Sequence, residues 1–153
     1  MANLVYNRFK KNIADGTIDF DAAGTVVRCL LERSTSTYSP NADDDFVGDL
    51  TGLVEITVAS YARQTVASKA VNQDDTNDRA ELDFDDLAFG NLESGQTVKA
   101  LIFYVQTGGS DATPNDDILI ARVDTDAGAI LPVALAGGAF NVAVNAEGFL
   151  QLT

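Results

Sequence analysis

The sequence predicts an all-β protein: an antiparallel β-sandwich, of jelly-roll or immunoglobulin-like type, with a short N-terminal helix and one further helical turn. Three observations predict it. Roughly eight or nine short segments alternate apolar and polar residues or run apolar throughout, with Gly, Pro, Asn and Asp turns between them. No strand–helix alternation of the kind a parallel sheet needs is visible. The chain has 153 residues, 46% hydrophobic and 22% charged, which is one core's worth for a domain of ordinary composition. The expected organisation is a helical arm over residues 1–16, packed on a single β-sandwich domain over 17–153.

The opening segment reads as the helix. Asn3 is the candidate N-cap, Val5, Phe9 and Ile13 recur at a spacing of four, and Gly16 is the stop. Thr17–Phe20 alternates, 21–24 turns, and Thr25–Glu32 makes a fuller strand in which Cys29 shares a face with Val27 and Leu31. That placement makes Cys29 a small core hydrophobe. Residues 34–41 are a polar loop with Pro40, and 43–50 is the further helical turn, its aspartates favoured at the positive end. From Leu53 the pattern is strand after strand. Val54, Ile56 and Val58 form one face of the first, and Lys69–Gln73 is a weaker one. Arg79–Phe84 alternates, with Ala80, Leu82 and Phe84 inward and Arg79, Glu81 and Asp83 in water. Val98–Val105 is apolar on both faces, the mark of a central strand. Asp117–Asp124 is another apolar strand, whereas Pro132 demotes Ile130–Leu135 to an edge or a loop. Phe140–Val144 and Phe149–Leu152 read as a closing hairpin around a connection containing Gly148.

Composition narrows the chemistry. There is no histidine, which removes the commonest general base and metal ligand. One cysteine allows neither an intrachain disulfide nor a thiolate cluster. With 23 acidic and 10 basic side chains the net charge is −13, a field that repels phosphate backbones and argues against nucleic acid as a partner. No apolar stretch approaches the ~18 residues of a membrane span, and the start does not place its charges ahead of an apolar run as an export signal does. The expectation is a cytoplasmically synthesised protein with no membrane partner and no cofactor. Glycine pairs at 108–109 and 137–138, and Gly48 with Gly52, read as turns. Some pair among 23 acids will always meet glycosidase spacing, so no catalytic residue is assigned and the chain is read as a non-enzyme.

Charge is distributed unevenly. Residues 74–86 hold seven carboxylates and one arginine. Calcium takes six to eight oxygens, but the EF-hand glycine and glutamate are missing. The reading is therefore a solvated turn and strand face with no assigned metal, and Asp74, Asp75 and Asp78 are the residues a cation would first engage. The first eleven residues carry Arg8, Lys10 and Lys11 and no acid. These belong to the wet side of the helix, or else Tyr6, Arg8, Phe9, Lys10 and Lys11 form a docking arm for an acidic neighbour.

Met1–Lys10, Asp15–Asp19, Tyr38–Phe46, Asp74–Ala80 with Asp85–Asp86, and Asn145–Thr153 together resemble a family of small virion structural proteins of tailed bacteriophages, nearly end to end. Ser39 stands where the family has threonine, and 59–63 replaces its glycine-rich hairpin. The resemblance implies a virion protein. Its expected form is a capsid decoration (cement) protein on the outer shell that bridges major capsid protein subunits as a homo-oligomer. The alternatives are a tail, baseplate or fibre-adaptor protein and, from another class, a carbohydrate-binding module. With no Trp and only four Tyr, the stacking platform for sugars is poor.

Overall fold

The computed structural model describes residues 4–124 and 131–152. In chain order the elements are β1 (Leu4–Val5), α1 (Asn7–Ala14), β2 (Val26–Arg33), a 3₁₀ turn (Val47–Asp49), β3 (Gln64–Thr65), β4 (Ala70–Asp74), β5 (Arg79–Asp83), β6 (Leu87–Leu92), β7 (Thr97–Gln106), β8 (Ile118–Val123), β9 (Val133–Ala134), β10 (Gly138–Val142) and β11 (Leu150–Leu152). They form an all-β, sandwich-like fold of antiparallel sheets. The largest sheet runs β1-β8-β7-β2-β3, with β9 also on β7; the smaller ones are β10-β6 and β11-β5-β4.

Apolar residues on both faces put β7 in the middle. Leu101, Phe103 and Val105 join Val27, Cys29 and Leu31 of β2 in the main core, against Leu82 of β5, Phe84 just after it, and Leu87, Phe89 and Leu92 of β6. Phe84, Phe103 and Phe149 meet there with ring centroids 4.5–5.5 Å apart. Ile102 and Tyr104 face the other way, into a second core with Leu30, Leu119, Tyr6, Tyr38, Val47 and Leu50. Cys29 is fully buried, and burial pushes its thiol well above the usual range. In the loop ahead of β2, the Lys69 ammonium, from the residue preceding β4, is held by the carbonyls of Phe20, Ala22 and Thr25 at 2.5–2.8 Å.

Four sequence expectations are corrected. The helix begins later than Asn3 implies: Leu4 and Val5 pair with Arg122 and Ala121 of β8, and extended Tyr6 is the N-cap. Val5 still packs on the main core, so a spacing of four fitted either conformation. Val54–Val58 forms no ladder; it touches β2 through a single bridge, Glu32 to Glu55, and only Ile56 is buried. Leu87–Leu92, missed between two turn signals, is a strand whose positive-φ Gly90 obscures its period. The last two segments do not pair with each other. β10 joins β6 and β11 joins β5; the turn at 145–148 was legible, but its strands leave for different sheets. A Cβ on Gly148 (φ +82°) would come 3.1 Å from the Leu82 carbonyl, so glycine is what lets the chain cross there. The Ile130 end of the ambiguous segment lies outside the described residues, and Pro132 is followed by the two-residue edge strand β9.

Candidate functional site

An eight-residue helix is marginal alone, and α1 is fixed by what it buries and by what its polar side reaches. Tyr6 and Phe9 point inward, 0% and 1% exposed. They are core residues here, in correction of the aromatic docking surface expected of them, and they leave Arg8, Lys10 and Lys11 as the outward members of the arm. Arg8 is already engaged. Its guanidinium contacts Asp45 Oδ2 at 2.7 Å and lies 4.3 Å from the Phe46 ring centroid. Asn7 donates its backbone N–H to the Ala42 carbonyl and its side chain to Asp43. Below them, Tyr38 donates to Asp44 at 2.7 Å, so its oxygen accepts the Tyr6 hydroxyl at 3.1 Å. Burial raises the Tyr6 hydroxyl to about 12. The acidic neighbour of the basic arm is thus residues 43–45 of the same chain. Lys11 pairs with Asp15 one turn on, and hydrogen bonds from Lys11 and Thr17 hold that carboxyl down to about 2. Lys10 contacts only the Asn7 side chain among the described residues and faces solvent.

The candidate metal ligands separate. Asp75 and Asp78 are exposed, and Asp78 takes a left-handed conformation in the turn (φ 54°). Asp74 turns inward and accepts from the Thr76 and Asn77 backbones and the Asn77 side chain, which hold its carboxyl below the ordinary range. Its carboxylate does meet two others, Glu81 and Glu147, within 4.8 Å. The cation between them is Arg79, which reaches Asp74 at 3.1 Å and Glu81 at 2.8 Å and also contacts Glu147. Arg79 and Glu81, expected in water, keep only 13% and 12% of their side-chain exposure. A guanidinium fills the position a metal would take, and the cluster locks β4, β5 and the 145–148 turn together.

Two further networks escaped sequence reasoning because their members are far apart in the chain. Beside the second core, Arg63 grips Glu55 with two bonds of 2.8 and 2.9 Å, Tyr61 donates to Glu55, and Arg28 meets Asp111 at 3.0 Å. Tyr104 donates to Asp111 at 2.6 Å, and burial together with that acceptor raises its hydroxyl pKa. Two cations, Arg28 and Arg63, here face two anions, Glu55 and Asp111. Deeper, Arg122 bonds Glu32 at 2.8 Å and Asp124 at 2.5 Å, and Lys99 meets Glu32 at 2.9 Å. This too is a balanced set of two acids and two bases, joining β2, β7 and β8.

The fold and these locks define an acidic all-β protein in which most arginines are paired with carboxylates of the same chain. No protein-family model, curated protein or solved structure matches the chain.

Proposed function

We propose that the chain is a structural component of a tailed-phage virion, a decoration (cement) protein that bridges major capsid protein subunits by surface contact. One observation carries the reading. Four of the five stretches on which the resemblance rests pair off in space: the opening residues dock on 38–46 through Asn7–Ala42, Arg8–Asp45 and Tyr6–Tyr38, and 74–80 docks on the C-terminal stretch through Arg79–Glu147 and the β5–β11 ladder. The shared residues are therefore those that fix the shape of the domain, as expected where shape is the function. Cement acts by adding many modest contacts over a shell against internal pressure. Lys10 and Lys11, outward on α1, are the basic groups offered to an acidic capsid surface.

A map of the intact particle tests this. Decoration predicts density for the chain over the whole shell, and particles lacking it should release DNA at lower temperature. Density confined to the tail or baseplate would instead establish the adaptor role, and unchanged heat resistance would remove the cement mechanism.

A further inference from the structure

We propose that β4 is a self-pairing edge, through which a second copy of this chain extends the β11-β5-β4 sheet about a two-fold axis at Asn72. The inference is independent of the virion reading. β4 pairs with β5 over five unbroken positions and with nothing on its other side among the described residues. Exposed edges are ordinarily blunted by shortness, proline, a bulge or an inward lysine. Ala70–Asp74 has no proline, bulge or lysine, and its one charged side chain, Asp74, is bonded within its own hairpin. Three large apolar side chains are exposed among the described residues, Val26, Val71 and Leu152, and two of them, Val71 (47%) and Leu152 (39%), lie on the same face of this small sheet. Register places Val71 beside Leu82 and Leu150, and Leu152 beside Ala80 and Gln73. That face opens onto a shallow groove with Ile13, Ile18 and Phe20 on its far side. The edge is also rigid, because Arg79 and the bonds from Thr76 and Asn77 to Asp74 fix the hairpin tip, so little ordering cost remains on pairing.

The placement of charges along the strand selects the register in which a second copy pairs. An antiparallel partner centred on Asn72 puts Val71 opposite Gln73 of the other copy. It also brings Lys69, just before β4, alongside Asp75, just after it. The two acidic tips, Asp75 and Asp78, then lie at opposite ends of the paired strands, whereas sliding the register toward the turn would bring them together. The three Lys69 protons already go to carbonyls, so what it offers the incoming aspartate is a nearby positive charge and not a new hydrogen bond. Because each chain carries −13, pairing should strengthen as salt screens the repulsion.

Cysteine cross-linking of the full chain tests it. Residues opposite one another in an antiparallel pair have Cα atoms about 4.5–5.5 Å apart, within disulfide reach, and buried Cys29 supplies no competing thiol. Asn72→Cys should form a disulfide-linked dimer on the order of ten times faster than Lys10→Cys, an exposed control, since pairing raises the local thiol concentration. The rate should rise with added NaCl. Adding Val71→Lys, or Gln73→Lys as a second blocker, should return it to the control rate with far-UV circular dichroism unchanged. A rate for Asn72→Cys equal to the control, or one indifferent to both blockers in folded protein, would overturn self-pairing and give the edge to a strand from a different protein.

Discussion

Asp117 sits at the start of β8 with no exposed surface, and only one of its carboxylate oxygens is bonded, to the Thr107 N–H at 3.1 Å. Burial raises its pKa, aided by Asp111 and Asp116 and opposed by Thr107 and Arg63. A carboxyl raised in the folded state costs stability once both states are ionised, and the cost fades as pH falls through the folded pKa toward the unfolded one. Asp117→Asn keeps an oxygen for Thr107 and removes the charge. Its melting temperature should therefore exceed that of the parent at pH 7, and the two should converge on acidification; thermal melts at a series of pH values check both. Tyr38→Phe makes the opposite kind of change, deleting the hydroxyl between Tyr6 and Asp44. It should cost about 1 kcal/mol in urea unfolding, with the partners partly rescued by water. Sequence periodicity reaches residues of only one kind. Cys29 and Leu82 were assignable inward because strand alternation fixes a face. Asp117 read only as the polar first residue of the 117–124 strand, and its burial depends on the 107–116 loop, whose Thr107 N–H bonds it.

Among the elements, the strands with dense apolar content were legible and their partners were not. β2, β5, β7 and β8 announce themselves through period two or through apolar residues on both faces. β10 and β11 were visible as strands, yet pairing depends on which edge is vacant, a property of the assembled sheet. The Arg79 cluster shows the same limit. Alternation put Arg79 and Glu81 correctly on the outer face, but Glu147 arrives from 68 positions away and converts that face into a lock. Arg79→Gln should separate the two halves of that lock. Three carboxylates would then repel one another, so the variant should be less stable than the parent at pH 7 and regain ground as pH drops through the carboxylate range. Faster amide exchange at 149–152 than at β7 would localise the loss to the β11 pairing.

For the molecule as a whole, net charge is the dominant global quantity. At −13 the folded state concentrates like charges that the unfolded chain spreads out. The ion pairs described above are local and short, while the repulsion is long-ranged and screened by salt. Raising NaCl to roughly 0.5 M, where the Debye length falls to about 4 Å, should therefore raise the melting temperature. A fall would show that the surface pairs outweigh the general repulsion. Composition alone made this legible, whereas the fold class needed the alternation of short segments between turns. The docking arm was less legible: a basic segment with two aromatics in front of an acidic stretch can meet a stranger's acids or its own, and only packing decides.

Lys69, with its ammonium among three carbonyls, carries a practical corollary. An ammonium so wrapped must give up its carbonyl bonds before a lone pair can reach an acylating reagent. Lysine-directed cross-linking will report on the neighbours of Lys10 and Lys11 and stay silent beside the hairpin, so proximity maps of any assembly that holds this chain will need carboxyl- or thiol-directed reagents to see that side.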